Sequence, residues 1–269
     1  MGGEPLAATA LTGRLAFPRR GAATAREEAE LLAFHRTGGP LVVLCGLAGG
    51  AGTSTLSYLL ARRAARHSSV PVLLTELRTG AGLAAIGGAA SPLPLGELAR
   101  AADEHRAPPR PFAELAPRLR LVATAGPSEN DPADARTLEQ LLDDARAAHG
   151  LVVVDAGQPA PGQADRLLAR ADRALFCLPA TPAALHRAEL QLAGGLLRHA
   201  QHGRRGVLVC TATQPRARAQ VRQLRRLAEG RVDRLLLVPH LPSLARGELD
   251  EPAFDSTLTA LATTLGTGP

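Results

Sequence analysis

The sequence contains no lysine: all 31 of its basic side chains are arginine. Together with abundant alanine, glycine, proline and leucine, this reads as a coding bias towards GC-rich codons, so a single arginine is weak evidence of function. The net charge of +6 permits anionic partners without requiring one. Cysteine is scarce too. Cys45, Cys177 and Cys210 each lie in or beside an apolar run. Their odd number argues against a disulfide framework, and their spacing is not that of metal ligands; what remains is reduced, inert core thiols. No apolar run approaches the roughly 18 residues of a membrane span. Residues 1–21 lack the continuous apolar centre of a secretory signal. The expected compartment is the cytoplasm, without membrane insertion.

The chain has room for a proper core: 269 residues suit one large α/β domain or two small ones. Apolar, strand-like runs fall at Leu41–Cys45, Val70–Glu76, Leu119–Thr124, Leu151–Asp155, Ala174–Leu178, Gly206–Thr211 and Arg234–Val238. Helical patterns lie between them, at Thr55–Arg66, Leu95–His105, Ala133–Ala148, Gly162–Ala169, Pro182–His199 and Pro215–Gly230, with a last helix over Ala253–Leu265. Strands apolar throughout and separated by helices predict an α/β fold, a doubly wound, mostly parallel sheet with helices on both faces. Residues 1–39 read as an N-terminal extension, a loosely ordered tail with one packed helix over Ala25–Phe34; residues 40–269 read as the α/β domain. The proline-rich stretch Pro108–Pro117 reads as a surface connection.

The chain is organised around Leu41–Leu60, LVVLCGLAGGAGTSTLSYLL. A buried strand runs straight into a glycine-rich turn and then a helix. Glycines let backbone amides converge on an anion, and the helix N-terminus adds a partial positive charge. A P-loop ends G-K-[ST], with lysine on the phosphates and the hydroxyl on Mg²⁺. Gly52 and Ser54 hold those places here, with Thr53 where lysine would stand. Helix N-capping is the alternative role for Ser54 and Thr55.

The spacing G-x-x-G-G-x-G-x-S-T from Gly46 to Thr55 resembles the deviant Walker A loop of the MinD/ParA-like P-loop ATPases. That family carries two lysines at places matched by Ala48 and Thr53. No lysine from elsewhere in the chain, or from an identical partner, can complete the loop. Val72–Arg78 looks like the family's second motif, V-L-L-x-D-x-D, with Glu76 at the water-positioning acid and Arg78 reversing the second charge. Leu151–Asp155 is similar to the Walker B strand, whose Asp holds the Mg²⁺ hydration shell. Ala171–Pro182 and Val238–Pro242 resemble two further motifs, and Cys210-Thr211 fall where the family often has an adenine-contacting Asn. The resemblance spans about residues 40 to 250.

The resemblance implies a phosphate site formed by Gly49, Gly50, Ala51, Gly52, Thr53, Ser54 and Thr55. It implies Mg²⁺ at Ser54 and, through water, at Asp155, and Glu76 and Asp155 as the catalytic candidates. The ligand would be ATP or ADP with Mg. Phosphoryl transfer is largely charge stabilisation, so a loop without lysine predicts a degenerate ATPase with little or no hydrolysis. The role implied is a nucleotide-sensing or scaffold protein, as in the TadZ/CpaE-like branch, with a homodimer and a secretion, pilus or partitioning apparatus as partners. A slow Mg-dependent ATPase dimer switch is the alternative.

A third reading comes from charge. Ten arginines lie between Arg198 and Arg234 against only Glu229 and Asp233. Arg218, Arg222, Arg225 and Arg226 fall on one side of a helix whose other side carries Val221, Leu224 and Ala228. Such a face suits DNA phosphates, as basic patches do in ParA-type proteins, or is a solvated face. No aromatic interleaves these arginines. The last helix has no cation over Asp255–Leu265, which makes it a poor membrane anchor.

Overall fold

The computed structural model describes residues 15–16, 25–77, 83, 93–94, 113–125, 132–193, 206–212, 218–239 and 254–266. Ten strands are described: β1 Leu15–Ala16, β2 Leu41–Gly46, β3 Val72–Glu76, β4 Leu93–Pro94, β5 Ala113–Ala116, β6 Leu119–Ala125, β7 Leu151–Asp155, β8 Arg173–Pro179, β9 Gly206–Thr211 and β10 Arg234–Val238. The helices described are α1 Ala25–Leu32, α2 Thr53–His67, α3 Pro132–Ala148, α4 Pro161–Arg170, α5 Pro182–Ala193, α6 Arg218–Ala228 and α7 Asp255–Gly266.

The strands form one sheet in the order β1-β10-β9-β8-β2-β7-β3-β6-β4, with β5 paired to β6. Every pairing is parallel except β5 with β6. Central strands are buried along their whole length because helices cover both faces, which is why they read as unbroken apolar runs. Alternate residues of each strand feed alternate layers. One layer joins Val43, Cys45, Val152 and Phe176 to α3, α4, α5 and α6. The other joins Val42, Leu44, Val153 and Leu175 to α1, α2 and α7.

One expectation changes. Pro108–Pro117 is not simply a connection, since its last residues form β5, an antiparallel partner of β6. Pro117 and Arg118 make the turn between them. Pro at the second turn position followed by a positive φ of 66° at Arg118 is the pattern of a type II turn. The Arg118 guanidinium donates to the Ser68 carbonyl at 2.6 Å, which anchors that turn. In the N-terminal extension, Leu15–Ala16 pair with β10 at the sheet edge, and α1 packs on α7 and α2. The expected helix over Leu95–His105 lies outside the described residues, as do Arg78 and the second half of the Val238–Pro242 motif.

Among the described residues, no helix is long and apolar enough to cross a membrane. The last helix instead buries Leu258, Leu261 and Ala262 in the layer that holds α2.

Candidate functional site

The strand order reverses around β2, which has β7 on one side and β8 on the other. Ligands of open parallel sheets bind beyond the carboxyl ends of the strands at such a reversal. The glycine loop starts there. The Gly46 amide donates to the Gly157 carbonyl at 2.5 Å and the Leu47 amide to the Cys177 carbonyl at 2.7 Å, stitching the loop's first residues to the neighbouring strands. A Cβ on Gly46 would meet the Gly157 oxygen and the Thr53 hydroxyl at 3.0 Å, a tight approach that a side chain could make only if those neighbours gave way.

Leu47, Ala48 and Ala51 are buried, whereas Gly49 and Gly50 form the exposed arc of the loop. Gly50 and Gly52 turn it through positive φ values of 70° and 76°. Gly52 is the N-cap of α2 and makes no side-chain capping bond. Ser54 and Thr55 therefore sit in the first turn, half-buried, and are not caps. The opening amides of a helix have no partner within it, so this turn presents donors at the loop.

Thr53 is only 7% exposed. Its Oγ1 stands 3.0 Å from where a Cβ on Gly46 would be, against the start of the loop. Burial pushes the Cys177 thiol up, with Cys45 and Asp155 adding to the rise. Burial and the Asp155 charge push Cys45 up to about 12, and burial alone raises Cys210 to about 12. All three thiols are free and buried, and stay protonated near neutrality.

Asp155 ends β7 with no exposure, and Glu76 ends β3 at 1%. They are register partners on adjacent strands, about 5 Å apart along the sheet as such pairs are. Asp155 Oδ1 accepts from the Gly157 amide at 3.0 Å, and Glu76 Oε2 accepts from the Leu83 amide at 2.9 Å. Strand alternation places both acids on the α2 side of the sheet, with Val153 and Leu74. The fold thus brings the loop, Asp155 and Glu76 to one edge. Among the described residues, no three His, Cys, Asp or Glu side chains group as a metal cluster.

The arginine face is elsewhere. On α6, Leu224, Leu227 and Ala228 pack into the layer opposite α2, and Arg222, Arg225 and Arg226 are exposed. Arg218 opens the same helix; its side chain lies outside the described residues, as does that of Val221.

Two contacts of the loop were not foreseen. Thr211, at the end of β9, donates its hydroxyl to the Ala51 carbonyl at 3.1 Å, across 160 residues of chain. Gln158, just past Asp155, lies against Gly46 and Gly49. Neither follows from a local pattern, because each depends on which strand ends meet.

No protein-family model and no curated protein matches this sequence. Solved structures do match. A ParA family ATPase from Chlorobium tepidum is 14% identical, with a TM-score of 0.63 over 86% of this chain and 98% of its own. An ATP complex of a Cyanothece McdA variant is 14% identical, with a TM-score of 0.64 over 87% and 98%. MinD in a MinC:MinD cell division complex from Aquifex aeolicus is 18% identical, with a TM-score of 0.61 over 86% and 97%. At such identities the likeness is one of fold: this chain has the α/β architecture of the ParA and MinD ATPases.

Proposed function

We propose that this chain is a nucleotide-responsive positioning protein of the MinD/ParA kind, with little or no ATP hydrolysis. The observation that carries the reading is Thr53. The loop keeps its glycine turns and its helix N-terminus, while the residue at the place of the lysine is a buried threonine. Backbone donors remain for phosphate, whereas the side-chain charge that stabilises phosphoryl transfer is missing. Among the described residues nothing lies within 4 Å of where a Cβ on Gly50 would stand, and on Gly52 it would meet the Thr211 hydroxyl at 3.7 Å, so the loop leaves its backbone open to a phosphate. Gly49 to Thr55 would hold the phosphates of ATP or ADP, with Ser54 and Asp155 holding Mg²⁺. When bound, the ion neutralises phosphate charge. Asp155 holds the Gly157 turn, whose carbonyl in turn accepts from the Gly46 amide at the start of the loop.

Such a protein would act as a homodimer or scaffold for a secretion, pilus or partitioning apparatus in the cytoplasm, near the TadZ/CpaE-like branch. One structural neighbour is an ATP complex and another is bound to MinC, which supports both the ligand class and a protein partner. Calorimetry with ATP and ADP, with and without Mg²⁺, on wild type and Asp155→Ala tests this. Mg-dependent binding weakened by the substitution, without turnover, is expected. Steady hydrolysis abolished by Asp155→Ala would overturn the inactive reading and favour a slow Mg-ATPase switch, for which the buried pair Glu76 and Asp155 is the supporting observation.

The exposed arginines of α6 favour a further reading, a non-specific DNA surface separate from the loop. Salt-sensitive duplex binding lost on reversing Arg222 and Arg225 is its expected signature. Binding unaffected by those reversals would remove it.

A further inference from the structure

We infer that Gln158 is a ligand-contacting residue of the loop, a neutral donor for a di- or triphosphate group at a site that has no lysine. This rests on the reading of the loop as a phosphate cradle. Gln158 lies in the connection from β7 to α4 and is exposed. Its Cγ is 3.5 Å from where a Cβ on Gly46 would stand, and its side-chain nitrogen is 3.6 Å from the corresponding position on Gly49. The side chain therefore runs along the loop, over two residues that have no side chain of their own. Beyond it Gly50 opens to space.

The base of this side chain is fixed. Gly157 has a positive φ of 56°, its amide donates to Asp155 Oδ1 at 3.0 Å, and its carbonyl accepts from the Gly46 amide at 2.5 Å. The turn that carries Gln158 is thus bonded to the loop on one side and to the strand-end acid on the other. A carboxamide offers two N–H donors and can rotate to present them to a phosphate oxygen, a bond strengthened by the acceptor's charge. The two places matched to the family's lysines offer nothing comparable. Ala48 has only a methyl group, and Thr53 is a buried neutral side chain.

The test is calorimetry with inorganic pyrophosphate and with Mg-ATP on wild type, Gln158→Ala, Gln158→Glu and Gln158→Arg. Gln158→Ala should weaken both probes about threefold to tenfold, the range of one exposed hydrogen bond. Gln158→Glu should weaken them beyond tenfold, by placing a like charge beside phosphate, and Gln158→Arg should tighten them. Thermal unfolding of the variants should match wild type, since the side chain is exposed. Equal affinities in all four proteins would overturn the assignment of Gln158 and leave the cradle standing. No binding of either probe to wild type at millimolar concentration would overturn the cradle and the assignment with it.

Discussion

The two ends of α2 use opposite chemistry. At its N-terminus the glycine loop offers backbone amides, and the place matched to a lysine holds a buried Thr53. Towards its C-terminus, Arg63 grips Glu28 of α1 with two bonds, Nε to Oε1 at 2.6 Å and Nη2 to Oε2 at 3.2 Å. Arg63 Nη1 also reaches Asp255 of α7 at 3.1 Å, and the Thr259 hydroxyl donates to Glu28 Oε2 at 2.5 Å. Full charges are therefore paired where three helices are clamped together. At the loop, the Gly49–Thr55 segment itself carries no charged side chain and offers the partial charges of its backbone. The clamp ties the N-terminal helix to the helix that carries the loop. A buried ion pair is weak evidence of net stability, but removing one partner is costly because it strands the other.

The largest expected effect is at the clamp. Arg63→Ala leaves the Glu28 carboxylate, 2% exposed, without its cation and should cost about 3 kcal/mol or more, read by urea unfolding. A loss below about 1 kcal/mol would show that the clamp is dispensable and break the comparison. At the other end, Thr53→Lys should tighten Mg-ATP about tenfold by calorimetry, as one charge-assisted bond does. No gain would mean that missing charge is not what separates the two ends. Smaller still, Gly52→Ala should lose about 1 kcal/mol in thermal unfolding. Among the described residues the only atom within 4 Å of the added Cβ is Thr211 Oγ1 at 3.7 Å, an ordinary contact, so the cost is one of positive φ and not of space.

The last prediction concerns acid. Burial raises the Glu28 pKa, but the bonds from Arg63 and Thr259 and the charges of Arg63 and His67 together outweigh it and hold the carboxyl below its ordinary range. A depressed folded-state pKa contributes stability that is complete above the unfolded value and is lost as pH falls through the folded one. The unfolding temperature of wild type should therefore drop more steeply in acid than that of Glu28→Gln. Parallel pH profiles would remove Glu28 as a source of acid sensitivity.

Much of the sheet was legible because a strand buried on both faces is an uninterrupted apolar run, and β7 and β9 match their predicted limits residue for residue. Strand β5 was hidden. Its four residues are half-buried or exposed in a proline-rich stretch, so no periodicity marks them, and pairing to β6 alone makes them a strand. The loop was legible in its glycine spacing, but the role of Gly52 as N-cap was not, because Ser and Thr are the commoner caps. Nor was the Glu28–Arg63–Asp255–Thr259 clamp, whose members lie far apart in the chain.

By itself the sequence determined the alternation of strands and helices, the glycines of the loop and the absence of any lysine to charge it, since each is a matter of composition or short-range period. Only the tertiary structure set Glu76 beside Asp155, buried Thr53, tied Thr211 to Ala51 and laid Gln158 over Gly46 and Gly49. Those contacts follow from which strands become neighbours. That is settled by burying two apolar layers at once, and no local run of residues encodes it.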